Sequence, residues 1–427
     1  MTSRAGLLLF LIFTLILTGI ATRQGMLVAL SLPLIIYLSV GFFYSPPKIK
    51  LSVNRDLDRA KVFTDVPMQS HLTLQNEGDD LEEMEIDDPM PLGLEITEGK
   101  KNILTAMLPG EKVDFTYRLK GMRGEYIFTE VKARAVETFG LFYSSESIPA
   151  FGRIAILPDT IKLRPIPIRP PQTRGFAGPI PSRQGGAGVN FLLVREYQPG
   201  DSLRQVNWKV SARSDHEIYT TTYELERIAD VGIILDARQQ IDVRKGNKRI
   251  FEHMVRAAGG LADLFLQDGN RVGLLVYGAA ITSAFPGTGK LQRERILQVL
   301  AKAETGFSYA LEKLDYLPTR FFPPRSQIIL VSPLIYGDAQ VLGYLRQQGY
   351  AVMVISPNSI LFEAEKEPAT SIDFLALKTS LHERRLLINL LRRQGVQVID
   401  WDITTPLEPL VRTAAMAAVR RPMGETV

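Results

Sequence analysis

The chain has 427 residues and a formal net charge of +4, enough material for two or three domains with full cores, and too mild a basic excess for a dedicated nucleic-acid binder. It contains no cysteine, which excludes disulfides, thiolate-ligated zinc, iron–sulfur clusters and thiol catalysis and fits a reducing compartment.

Residues 5–21 are almost wholly apolar, Thr22-Arg23-Gln24 interrupts them, and residues 26–44 are apolar again around a single Pro33. Runs of about 17–20 apolar residues at about 1.5 Å each span most of a bilayer core, so residues 1–47 are expected to form a two-helix membrane hairpin with residues 5–44 in lipid. Arg4, Lys48, Lys50 and Arg55 lie on one side against Arg23 on the other, which places both termini in the cytoplasm. Gly19-Ile20-Ala21 also fits a signal-peptide cleavage site, but the second helix would return the chain to the same side.

Residues 48–163 change to short alternating runs broken by Asn76-Glu77-Gly78, Pro109-Gly110 and Gly121. Alternation over 69–75, 112–119 and 131–138 predicts an immunoglobulin-like β-sandwich, whose expected role is to space and present. The acidic run Asp79, Asp80, Glu82, Glu83, Glu85, Asp87 and Asp88 is expected to be a solvated loop and edge rather than a cation site. Residues 164–189, rich in Pro and Gly and carrying Arg164, Arg169, Arg174 and Arg183 without an acidic residue, read as an extended linker.

Residues 195–224 concentrate unusual residue types. Pro199-Gly200 marks a turn, Asp201 is placed to cap a following helix, and Leu203, Val206 and Val210 predict that helix's apolar inner face. Ser214-Asp215 ends it, and residues 217–223 alternate as a strand. Arg195, Arg204 and Arg213 beside Glu196, Asp201 and Asp215 read first as an ion network with Trp208 as a packing anchor, and second as a docking surface. Beyond this run, strands over 231–235, 272–277, 327–332, 351–355 and 396–399 alternate with helices over 249–266, 291–303, 338–347 and 381–393, with a closing helix at 407–421. The pattern predicts an α/β doubly wound, mainly parallel sheet. Residues 190–427 are thus one unit.

Arg195-Glu196-Tyr197, Gly200-Asp201, Arg204, Asn207-Trp208 and Ser211-Ala212-Arg213 resemble the signature of the domain of unknown function 58 family, and Arg123-Gly124-Glu125-Tyr126 and residues 138–142 are similar to elements preceding it. The resemblance implies a von Willebrand factor A-like domain. Such domains often hold a divalent cation through Asp-x-Ser-x-Ser after the first strand, a later Thr and a second Asp. Here the run is Asp236-Ala237-Arg238-Gln239-Gln240, and Pro333 follows Ser332 where the second carboxylate is expected. Ser308 lies nearest the threonine position. An arginine among the ligands repels a cation, so no metal is expected, and Asp236, a vestigial ligand, is expected to pair with Arg238 or cap backbone.

His71, His216, His253 and His382 lack metal-ligand spacing. Gly287-Thr288-Gly289-Lys290 lacks the first glycine and the Ser/Thr of a phosphate loop and reads as a hairpin turn; Gly185-Gly186-Ala187-Gly188 lacks the context of a dinucleotide site. The expectation is a non-enzymatic, cofactor-free protein-interaction scaffold or adaptor. The resemblance implies a MoxR-type AAA+ ATPase as partner. Because the cation ligands are replaced, binding is expected to be metal-independent, through surfaces such as Arg195, Arg204, Trp208 and Arg238. The alternative is a hydrolase using Glu196, Asp201 or Asp215. An outward-facing, cation-dependent adhesion domain conflicts with the charge bias and the altered ligand positions.

Overall fold

The computed structural model describes residues 2–164, 180–214, 217–246, 248–314, 317, 321–364 and 371–420. They fall into two compact units, Met1–Leu157 and Pro158–Val427.

The first unit opens with α1 (Ser3–Ala21) and α2 (Gly25–Phe43), each 19 residues and each long and apolar enough to cross a membrane. The expected tight connection is present: Arg23 takes a positive φ of 56°. A Cβ on Gly19 would stand 2.7 Å from Val28 Cγ2, so glycine there lets the helices approach closely.

Nine strands follow: β1 (Leu51–Leu57), β2 (Lys61–Phe63), β3 (Met68–Asn76), β4 (Leu81–Asp87), β5 (Leu94–Glu98), β6 (Asn102–Met107), β7 (Lys112–Gly121), β8 (Gly124–Val136) and β9 (Tyr143–Leu157). They form a four-stranded sheet, β1-β3-β7-β5, and a five-stranded sheet, β2-β9-β8-β4-β6. Alternate residues such as Leu72, Leu74, Leu119, Met84, Ile86 and Phe128 form one core, as period-two patterning demands. The acidic run departs from expectation. Residues 81–87 form β4, which lies between β8 and β6 rather than at an edge. Asp88 is fully buried, accepting from Arg55 at 2.6 and 2.7 Å. Tyr117 also donates to Asp88, and the Arg55 guanidinium lies 4.3 Å from the Phe128 ring centre.

A second buried carboxylate organises the turn after β8. Glu137 accepts from the backbone amides of Phe139, Gly140, Leu141 and Phe142. That turn also meets the hairpin: Thr2 Oγ1 donates to Gly140 O at 2.8 Å, and Phe42 packs edge-on against Phe142.

In the second unit, β10 (Ile180–Glu196) pairs antiparallel with β11 (Tyr219–Arg227), with α3 (Trp208–Ser211) between them. The linker expectation is therefore corrected at its end, because residues 180–189 are strand, while residues 165–179 lie outside the described residues. Next come β12 (Asp230–Asp236), a short ladder of β13 (Arg244–Lys245) and β14 (Lys248–Arg249), α4 (Ile250–Gln267), β15 (Arg271–Tyr277), β16 (Ile281–Gly287) and α5 (Gly289–Lys302). The unit closes with β17 (Gln327–Val331), α6 (Asp338–Gln347), β18 (Ala351–Pro357), α7 (Ser359–Glu363), α8 (Ser371–Arg393), β19 (Gln397–Trp401) and α9 (Leu407–Arg420).

Six strands make one sheet in the order β16-β15-β12-β17-β18-β19, parallel except for the β16 edge. Val231, Ile233 and Leu235 point to the face covered by α4, α5 and α9, and Ile234, Ile328 and Leu330 to the face covered by α6 and α8. Burial on both faces explains the continuous apolar strands. Gly287 to Lys290 is not a hairpin turn: β16 ends at Gly287 and α5 starts at Gly289, whose φ of 75° suits glycine.

Candidate functional site

The sheet order reverses between β12 and β17, the switch point at which doubly wound sheets leave a crevice beyond the strand ends. Asp236 ends β12 there, and Ser332 immediately follows β17. Arg238 fills the space between them. Its Nε and Nη2 donate to the two oxygens of Asp236 at 2.9 and 2.7 Å, and its Nη1 and Nη2 to those of Asp338 at 3.0 and 2.9 Å. Ser332 Oγ donates to Asp236 Oδ2 at 2.7 Å, and Arg238 N to Asp236 Oδ1 at 3.1 Å. Asp236, Arg238, Asp338 and Ser332 are all buried. The expected ion pair of Asp236 with Arg238 is present.

Burial disfavours the Arg238 charge, yet the two carboxylates outweigh it and hold the guanidinium above its ordinary pKa. Asp338 is pushed up, first by burial, although Arg238 pulls the other way. Geometrically the guanidinium stands where a cation would need the two carboxylates and the hydroxyl as ligands. One expectation fails here: Arg238, counted among the docking residues, is 2% exposed and reaches no partner. The Arg238 backbone bridges to Gly306, two residues before Ser308.

Asp338 is the residue that sequence reasoning missed. It opens α6 six positions after Ser332 rather than one, and the loop folds back so that it also accepts from Ile335 N at 3.0 Å. A faint signal existed in Gly337-Asp338 before an apolar-periodic helix. Arg384 of α8 was missed as well. It is buried and donates to Pro333 O, Ser356 O and Oγ, and Asp400, so it ties together the ends of β17, β18 and β19.

The signature segment splits into scaffold and surface. Asp201 caps no helix. It closes the 197–201 turn by accepting from Arg195 Nη2 at 2.7 Å and Gln198 N at 2.9 Å, while Gly200 takes φ 110°. The Arg195 hydrogen bond, then that of Gln198, holds the Asp201 carboxyl below its usual range. Tyr197 donates from its hydroxyl to Asp201 O.

The predicted single helix is broken because Val206 pairs as a β-bridge with Thr220. What remains is one 3-10 turn, Leu203–Gln205, and α3, which Asn207 caps by accepting from Val210 N at 3.1 Å. Asn207 also bonds Thr221, and Ser211 Oγ accepts from Tyr219 N, so both pin the segment to β11. Trp208 is not a packing anchor. It is 67% exposed and Leu203 69%, with Arg204, Lys209, Arg213 and Glu196 also exposed. Asp215 and His216 lie outside the described residues.

The family described as "Protein of unknown function DUF58" matches residues 193–356, the stretch that holds both the signature and the switch point. The chain is similar to the uncharacterized protein Rv1480 of Mycobacterium tuberculosis, 30% identical over 117 residues, covering 27% of this chain and 37% of that protein. It is also similar to the uncharacterized protein YeaD of Bacillus subtilis, 24% identical over 252 residues, covering 58% of this chain and 60% of that one. The chain thus spans less than two thirds of the length of either relative. Among solved structures it is similar to the FixG-related protein from Vibrio parahaemolyticus, at 17% identity and a TM-score of 0.18, over 26% of this chain and 98% of that one. The bacterial hydrophobin BslA is similar at 15% identity and a TM-score of 0.18, over 27% of this chain and 99% of its own.

Proposed function

We propose that the chain is a membrane-anchored, cytoplasmic protein-interaction scaffold, whose second unit is a von Willebrand factor A-like module that works without a metal and without catalysis. The observation that carries this reading is the exposure of Trp208 beside Arg204 on a segment fastened to β11 by Asn207 and Ser211. Tryptophan and arginine are the residue types that most often anchor interfaces, and an exposed tryptophan on a rigid support binds with little loss of conformational freedom. The α/β reading is supported by the sheet order with one antiparallel edge. Metal independence is supported by the guanidinium lodged between Asp236 and Asp338.

The partner that fits is a MoxR-type AAA+ ATPase, by the family resemblance. Two helices suited to crossing a bilayer support the anchor, and the excess of cations at Arg4, Lys48 and Lys50 supports the cytoplasmic side. A hydrolase is the poorer fit, since both oxygens of Asp201 are engaged by Arg195 and Gln198. Capture of the ATPase from solubilised membranes in the presence of a chelator tests the reading. Unchanged capture is expected, and a clear loss would point to a cation-dependent site instead.

A further inference from the structure

The turn after β8 lies against the apolar hairpin, well along α2. Phe139 packs edge-on against Tyr37 with ring centres 5.5 Å apart, and Phe142 against Phe42 at 5.8 Å. A Cβ on Gly41 would stand 2.9 Å from Leu141 Cδ1, so glycine there lets the turn close onto the helix. α2 ends at Phe43, and Tyr37 stands six positions earlier, about 9 Å along the axis. At 19 residues α2 measures about 28 Å, no more than the roughly 30 Å of a bilayer's hydrocarbon core. A spanning α2 therefore keeps none of those six positions clear of lipid. Arg4, the one charged residue within either helix, marks the headgroup level, and its Nη1 lies 3.5 Å from where a Gly140 Cβ would be.

Irregular backbone enters an apolar surrounding only where its polar groups are already paired. This turn is paired in advance. The amides of residues 139–142 all donate to the buried Glu137 carboxylate. Thr2 donates from N and Oγ1 to Leu141 O at 2.9 and 3.0 Å and from Oγ1 to Gly140 O, and Phe142 O accepts from Glu137 N. The Phe139 side chain is left 38% exposed. We propose that the turn at residues 139–142 is a lipid-contacting element, with Phe139 entering the boundary between headgroups and acyl chains beside Tyr37. The sandwich is then seated on the bilayer at this turn. Phe43 and Tyr44, 84% and 70% exposed at the end of α2, supply the aromatic residues that favour the same level. A protein partner would have to reach Phe139 through the lipid around α2, which makes lipid the occupant. The proposal rests on the membrane-anchored reading above.

The absence of cysteine gives a direct test. Three full-length chains carry single substitutions: Thr138→Cys beside Phe139, Met122→Cys in the exposed turn before β8, and Phe10→Cys at a position 66% exposed in α1. Each is labelled with an environment-sensitive fluorophore and placed in phosphatidylcholine nanodiscs. Lipid brominated near the headgroup end of its chains quenches from the bilayer, and iodide quenches from water. The expected result is quenching by brominated lipid at positions 10 and 138 and by iodide at position 122. Adding Phe139→Ser should shift position 138 from lipid to iodide quenching. Iodide quenching at position 138 with Phe139 in place, while position 10 is quenched by lipid, overturns the proposal and leaves the anchoring reading standing. Lipid quenching at position 138 that survives Phe139→Ser also overturns it. No lipid quenching at position 10 overturns the anchoring reading, and this proposal with it.

Discussion

Arg238 and Asp338 stand 100 positions apart in the chain and meet through two buried hydrogen bonds of 3.0 and 2.9 Å. With Asp236 on the other side, the guanidinium joins the first strand of the sheet to the helix that follows β17. Removing it leaves two buried carboxylates facing each other. Arg238→Ala is therefore expected to destabilise the second unit by about 3–5 kcal/mol. Replacing all three at once, Asp236→Asn, Arg238→Met and Asp338→Asn, should cost less than Arg238→Ala alone. Denaturant unfolding of the two variants checks this, and the reverse order would mean that the triad adds more than the relief of unpaired charge.

Arg238→Ser should convert the same place into a cation site. Two carboxylates and the Ser332 hydroxyl would then surround space vacated by the guanidinium, and oxygen ligands of this kind suit calcium or magnesium. Calcium is expected to raise the melting temperature of the variant and leave the native chain unmoved. An equal response from both proteins would contradict the substitution argument.

His253 gives the second unit an acid-side sensitivity. Burial lowers its pKa from 6.5, with Arg256 and Lys248 adding to the effect, and its ring packs edge-on against Phe362. The folded state binds this proton less readily than the unfolded chain does. Its contribution is therefore complete above pH 6.5 and is lost as pH falls through the depressed folded value. His253→Gln should flatten the fall of melting temperature on the acid side. An unchanged slope would place the sensitivity elsewhere.

In the sandwich, Tyr117→Phe removes a donor from the buried Asp88 while Arg55 stays in place. A hydrogen bond to a charged acceptor contributes about 1.5–3 kcal/mol, and a loss of that size is expected. The Tyr117 hydroxyl is held well above the usual tyrosine range, by burial and then by Asp88. The native chain should accordingly show one tyrosine that ionises only on unfolding, absent from the variant.

The sequence was most informative where burial imposes periodicity. The apolar runs at 231–235, 327–332 and 351–355 became β12, β17 and β18, and residues 338–347 are α6. It was least informative where one residue can serve two local patterns. Val206 fits a helix face by spacing, but its β-bridge to Thr220 is a contact that spacing along the chain does not encode. Asp88 closes a run of surface acids and is buried because Arg55, far away in sequence, reaches it. At the switch point, Asp236 and Arg238 were legible as neighbours. Asp338 was not, because a left-handed Leu334 and the turn behind it bring it back from beyond the expected position.

The central claim is that Trp208 and Arg204 face a partner and do not hold up the fold. Both are exposed, so the Arg204→Ala, Trp208→Ala pair should change stability by no more than about 0.5 kcal/mol for each substitution. The decisive measurement is capture of the AAA+ ATPase from detergent-solubilised membranes by the native and doubly substituted chains, with the melting temperature of each recorded alongside. Lost capture at an unchanged melting temperature is the predicted result. Full capture by the variant, or lost capture accompanied by a large drop in melting temperature, would contradict it.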